Sequence, residues 1–96
     1  MDEKIIRWHI YFDGRVQGVG FRFTAQIFAS QLQLTGWVRN LDDGRVEAET
    51  QGTEETLNTF IMKLRSQPPI RITDYEIQEI PLKEGEKRFS VAPSFS

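Results

Sequence analysis

Residues 5–12 alternate in polarity, and apolar residues recur at helical spacing from Phe21 onward. Between the two runs stands Gly14-Arg15-Val16-Gln17-Gly18-Val19-Gly20-Phe21-Arg22. The junction constrains the fold at once, because a strand must pass into a helix through a short glycine-rich turn and both must share a core. It also has a chemistry. Glycines let backbone N–H groups converge on one point, since no Cβ blocks the approach. A helix N-terminus adds partial positive charge, and Arg22 adds a full one in a planar fork. Such a constellation suits a bound phosphate.

The rest of the chain limits what can be built around that junction. In the first strand Ile6, Trp8, Ile10 and Phe12 face one way and Arg7, His9 and Tyr11 the other. Phe21, Ala25, Phe28, Ala29 and Leu32 mark one face of a helix. Gly36 restarts extended structure, with Trp37 to Leu41 as a strand and Asp42-Asp43-Gly44 as a hairpin turn. Val46, Ala48 and Thr50 then alternate with Arg45, Glu47, Glu49 and Gln51. Thr53 is placed to cap a second helix, with Glu54 and Glu55 in its first turn. Leu57, Phe60, Ile61 and Leu64 form its apolar face, and Pro68-Pro69 stops it. Ile70 to Ile80 reads as a further strand of less regular pattern, as a bulge would give; Pro81 to Lys87 is a charged loop, and Arg88 to Val91 a short edge strand. Both helices bury their stripes most simply on one face of a mostly antiparallel sheet. The predicted fold is therefore α+β, a ferredoxin-like βαββαβ two-layer sandwich. A strand after Gly36 lying beside the first strand would bring Asn40 toward the glycine loop.

Composition narrows the function. With 96 residues there is room for one core, hence a single domain over 1–96, and 39% hydrophobic content suits a globular fold. No cysteine is present, which excludes disulfides, thiolate metal sites and a cysteine nucleophile. His9 is the single histidine, so no multi-histidine metal site can form within one chain. A net charge of −2 argues against a nucleic-acid partner. Met1-Asp2-Glu3-Lys4 is charged, with no apolar signal core after it and no long apolar run elsewhere. The expectation is a cytoplasmic monomer without a membrane partner.

Familiar phosphate loops do not fit. A Walker loop requires a lysine after its glycines, and a dinucleotide loop requires a third glycine in register; neither is present. Gly20-Phe21-Arg22-Phe23 faintly echoes an RNA-recognition motif, but its aromatics fall where a helix starts, not on a central strand.

Gly14 to Arg22, followed by Gly36-Trp37-Val38-Arg39-Asn40-Leu41-Asp42-Asp43-Gly44-Arg45-Val46 and Gly52, resembles the two signatures of the acylphosphatase family. The similarity runs from the first strand to Phe89-Ser90-Val91. It implies the ferredoxin-like sandwich and hydrolysis of acyl phosphates to a carboxylate and inorganic phosphate, with no metal or cofactor. It also implies that Arg22 binds the substrate phosphate and Asn40 orients the attacking water. The backbone amides of Gln17, Gly18, Val19, Gly20, Phe21 and Arg22 would form the cradle. Three positions depart from the family pattern: Phe12 replaces an aliphatic residue, Gln33 stands where a helix-ending glycine is common, and Ala25 stands where a threonine is common, with Thr24 adjacent. None removes a proposed catalytic group.

The chemistry needs few groups. The leaving carboxylate is stable as an anion, so no general acid is required, and phosphoryl transfer rests on positioning and charge stabilisation. Neither motif supplies a general base, and the substrate's own phosphate oxygen is the expected proton acceptor. Two other readings stand beside this one: a non-catalytic anion-binding module, like the related domain of larger hydrogenase-maturation proteins, and a nucleic-acid module. The chain's end at Ser96, without a cysteine-rich extension, favours a free-standing enzyme. His9 is expected to be structural and Trp37 to be core. Arg15, Arg39 and the acidic run Glu47, Glu49, Glu54 and Glu55 are expected to be solvated.

Overall fold

The computed structural model describes residues 3–94, so Met1 and Asp2 of the charged N-terminal stretch lie outside the described residues. Elements run β1 (Ile5–Arg15), α1 (Phe21–Gln31), β2 (Thr35–Asn40), β3 (Val46–Thr53), α2 (Glu54–Arg65), β4 (Arg71–Ile80) and β5 (Phe89–Val91). The strands form one five-stranded sheet in the order β4-β1-β3-β2-β5. Neighbours are antiparallel except β2 and β5, which are parallel. This is the expected sandwich with the terminal strand added at one edge.

One expectation needs correction. β2 does not lie beside β1, because β3 is inserted between them. Both β1 and β2 run antiparallel to β3 and are therefore parallel to each other. Their C-terminal ends emerge on the same side of the sheet, which brings the loop after β1 and Asn40 together across the end of β3. β1 is also longer than expected. It continues to Arg15 by pairing with β4 through a register shift at Asp13/Gly14. There the β4 backbone comes so close that a Cβ on Gly14 would stand 2.2 Å from the Arg71 carbonyl oxygen. Only glycine fits that approach.

The core lies between the sheet and the helices. Ile6, Ile10 and Phe12 of β1 join Phe21, Ala25 and Ala29 of α1 and Leu57, Phe60 and Leu64 of α2 in one buried cluster. The Phe12 and Phe21 rings pack at 5.0 Å, locking the start of α1 onto the first strand. Thr53 Oγ1 accepts from the Thr56 amide and caps α2, an arrangement that typically contributes about 1 kcal/mol. At the end of α1 the Leu34 amide donates to Ala29 O and the Gln33 amide to Ser30 O, a Schellman closure. Its left-handed residue is Gln33, at φ 59°, where glycine would be unstrained.

The opposite face of the sheet differs from the expected solvated surface. Arg7 is 1% exposed. Its Nε donates to Glu49 at 2.9 Å and its Nη1 to Glu86 at 2.8 Å. Glu86 belongs to the charged loop, which folds back over this face and is pinned by Gln51 through the Lys83 backbone. Burial disfavours the Arg7 charge, but the hydrogen bonds and fields of Glu86 and Glu49 outweigh it and hold its pKa above the ordinary value. Glu47, expected to be solvated, is buried between His9 Nε2 at 2.7 Å and Arg39 Nε at 2.6 Å. Burial raises its pKa, yet those two partners lower it further, so the net shift is downward. Trp37 is not core: it is half-buried on this face with the Arg39 guanidinium 5.1 Å above its ring. Glu54, Glu55 and Arg15 are exposed as expected.

Candidate active site

At the end of the sheet where β1 and β2 both terminate, a cavity of about 350 Å³ opens to the surface. Gln17, Gly18, Gly20, Phe21 and Arg22 line it from the β1–α1 junction, and Asn40 lines it from the end of β2. Asn40 is far in sequence from the other five and meets them because β1 and β2 are parallel. Val19, grouped with them from the sequence, is not among the lining residues. Its side chain packs against the core.

The junction is built for backbone exposure. Gly18 and Gly20 adopt left-handed φ values of 73° and 76°, and a Cβ on either would meet no protein atom within 4 Å. Packing therefore does not demand glycine at these two positions, unlike Gly14; the backbone conformation does. Gly20 is also the N-cap of α1. It offers no side chain to the first helical amides, and no acidic residue stands in the first turn. The contrast with α2 is direct, since Thr53, Glu54 and Glu55 occupy the equivalent positions there. The uncapped α1 amides keep the donor capacity and partial positive charge of a helix start.

Arg22 sits in that same first turn, where the helix dipole alone would repel a cation. It is half-buried, and Nη1 makes a long 3.4 Å contact with Ser94 Oγ. No carboxylate among the described residues forms an ion pair with it. Phe21 turns its ring into the core, 2% exposed, so it faces the cavity with its backbone. Asn40 contributes a side-chain acceptor of an unusual kind. Its Oδ1 is buried and receives no hydrogen bond from the described residues.

Sequence reasoning missed the Gln17 side chain. Its Nε2 donates to both Leu41 O at 2.7 Å and Arg45 O at 2.9 Å, tying the glycine loop to the two ends of the β2–β3 turn. Asn40 directly precedes Leu41, so this amide sets the separation of cradle and Asn40. The only hint in the sequence was the neutral amide itself. Phe23, Gln26 and Val91 also line the cavity. Phe23 falls off the apolar stripe of α1, which foretold its exposure; Val91 reaches the site only because β5 pairs beside β2. Arg22 is the one ionisable side chain in the lining. Among the described residues no group of three or more His, Cys, Asp or Glu side chains is placed to hold a metal ion.

A ferredoxin-like sandwich carrying an uncapped, glycine-lined helix start with an arginine at its lip defines a small α+β protein with a candidate anion site. Residues 8–91 match the acylphosphatase family. The chain is 42% identical to an acylphosphatase of Bacillus subtilis over 94% of its own length and all of that relative. It is 40% identical to one of Bacillus licheniformis over 92% of its length and 99% of the relative. The crystal structure of the B. subtilis acylphosphatase superposes with a TM-score of 0.83, covering 91% of this chain and 98% of that one. A full-length HypF in a phosphate- and nucleotide-bound form gives a TM-score of 0.88 at 30% identity, with 99% of this chain covering 13% of HypF. The chain belongs to the acylphosphatase family.

Proposed function

We propose that this acylphosphatase hydrolyses acyl phosphates in the cavity between the 17–22 loop and Asn40. One observation carries the assignment of roles: Asn40, whose buried Oδ1 has no donor among the described residues, lines the same cavity as an uncapped helix start and Arg22. Buried acceptors in proteins are almost always satisfied. We assign the missing donor to a water that the Asn40 side chain holds beside a phosphate gripped by the loop.

Arg22 takes two phosphate oxygens through its fork, and the amides of residues 17–22 take the remainder. The water oxygen attacks phosphorus in line with the departing acyl oxygen. As the new P–O bond forms, the P–O bond to the acyl group breaks and its electron pair leaves with the carboxylate. The water's proton goes to a phosphate oxygen, a route supported by the absence of any carboxylate, histidine or lysine from the lining. Asn40 holds the water in place without titrating, so its contribution is orientation.

Hydrolysis of benzoyl phosphate by the native chain, Arg22→Ala and Asn40→Ala tests this. Arg22→Ala should lower kcat/KM by on the order of 10²–10³. Asn40→Ala should lower kcat by a similar factor with little change in KM. An inactive native chain would return the site to an anion-binding module; retained activity in Arg22→Ala would remove the arginine from the mechanism. Chelator should have no effect.

The small-molecule substrate and inorganic phosphate are the partners this reading requires. The free edge of β4 carries Arg71, Asp74, Glu76 and Glu79, a charge pattern that discourages strand pairing and fits a monomer. A net charge of −2 disfavours a nucleic-acid partner that works by neutralising phosphates. Among the described residues no helix is long and apolar enough to cross a membrane.

A further inference from the structure

One phenylalanine among the described residues stands apart. Phe12, Phe21, Phe60 and Phe89 are at most 2% exposed and Phe28 is partly buried, whereas Phe23 is 68% exposed. An exposed aromatic is unremarkable when it stands alone. Phe23 does not stand alone. It lines the cavity that holds Arg22 and Asn40, and Val91, 42% exposed, lines it too. Their positions follow from the fold. Phe23 follows Arg22 in the first turn of α1, and Val91 pairs with Val38, one same-face step before Asn40.

The site accounts for the phosphate end of its substrate with backbone amides and Arg22. Apart from Val16, which is 1% exposed, the lining left for the other end is Phe23, Gln26 and Val91, two apolar side chains and one neutral amide. Arg22 is already committed to the phosphate, and the lining holds no second cation to meet another anionic group. A second phosphate on the acyl part would meet an aromatic ring and no counter-charge in the lining, which disfavours it relative to an apolar group. A flat apolar group would cover Phe23 and release the water around it.

We infer that Phe23 and Val91 form the subsite for the acyl half of the substrate, and that the enzyme selects acyl phosphates with an uncharged, apolar acyl group over those bearing a second phosphate. This rests on the placement of the phosphate at Arg22 and the 17–22 loop.

The test is a ratio, so that differences in intrinsic reactivity between substrates cancel. kcat/KM is measured with benzoyl phosphate, acetyl phosphate and an acyl phosphate carrying a second phosphate group. Phe23→Ala should lower the benzoyl-to-acetyl ratio about tenfold, and Phe23→Leu should largely restore it. Phe23→Lys should shift preference toward the doubly phosphorylated substrate. Met62→Ala, which removes an apolar side chain of similar exposure (66%) from α2 outside the cavity, should leave the ratio at the native value. A benzoyl-to-acetyl ratio within twofold of native in Phe23→Ala, or no gain for the doubly phosphorylated substrate relative to benzoyl phosphate in Phe23→Lys, would overturn the subsite. Arg22→Ala reports separately on the foundation. If it hydrolyses all three substrates at native rates, the phosphate placement itself fails; if it is impaired on all three while the Phe23→Ala ratio holds, only the subsite fails.

Discussion

Two polar regions of this molecule use the same residue types to opposite ends. On the open face of the sheet, Arg7 lies buried against Glu49 and Glu86, and Glu47 lies between His9 and Arg39. At the end of the sheet, Arg22 has no carboxylate partner among the described residues, Asn40 Oδ1 has no donor among them, and α1 begins without a side-chain cap. The first region closes its electrostatics internally, and its charges act as mortar between the sheet and the 81–88 loop. The second leaves donors and an acceptor unpartnered in residues around one cavity, which is how a binding site differs from a polar patch. Polarity alone marks neither. What separates them is whether each group's partner belongs to the protein.

The comparison is broken most severely at its arginines. Arg7→Ala should leave two carboxylates on a covered face without their counter-charge and cost roughly 3–5 kcal/mol of stability. The correctly folded fraction should retain native kcat. Chemical denaturation with parallel assays reads both quantities. Arg22→Ala should do the reverse, losing on the order of 10²–10³ in kcat/KM while its denaturation midpoint stays near native. If each variant loses both properties, the division into structural and functional polar regions fails.

Gln17 sits on the boundary between the two behaviours. Gln17→Leu removes two hydrogen bonds and should cost about 1–2 kcal/mol. It should also lower kcat more than it raises KM, because Asn40 loses its fixed distance from the cradle. An effect on stability alone would reduce Gln17 to a strut.

The sheet face should also show itself in pH dependence. Glu47 is held below its ordinary value of 4.5 by His9 and Arg39, despite burial that pushes it upward. The unfolded chain therefore binds this proton more readily than the folded one. The stabilisation is present above the ordinary carboxylate pKa and is lost as pH falls through the lowered one. Tm should drop on acidification below about pH 4.5, and Glu47→Gln should lessen that drop. The smallest effect is expected outside both regions. Gln33→Gly relieves a left-handed residue at the end of α1 and should raise stability by about 0.5–1 kcal/mol.

Much of this was legible in the chain because it depends on short-range pattern. The alternation of Ile6, Trp8, Ile10 and Phe12 and the spacing of Phe21, Ala25 and Ala29 each identify an element and its buried face, and both recur in the core. Asp42-Asp43-Gly44 and Thr53 announce their turn and cap, since those roles are played by residues two or three positions apart. The acidic run misled for the same reason. Glu47 and Glu49 alternate as a wet face should, and nothing local says that Glu86, far along the chain, will arrive beside Arg7 and that its loop will cover the face. Trp37 misled likewise, because strand alternation assigns a side but does not say which side is the core.

What the sequence determined by itself was the set of parts: a strand entering a helix through glycines, an arginine in a first turn with no acid beside it, an asparagine ahead of a tight turn. These follow from backbone sterics and from periodicities of two and 3.6 residues, which operate within a few positions. Tertiary structure alone decided which parts meet. Inserting β3 between parallel β1 and β2 puts Arg22 and Asn40 at the same end of the sheet, and pairing β5 beside β2 brings Val91 to their cavity. Those meetings depend on strand order, a property of the whole buried core, and no local stretch of the chain encodes it.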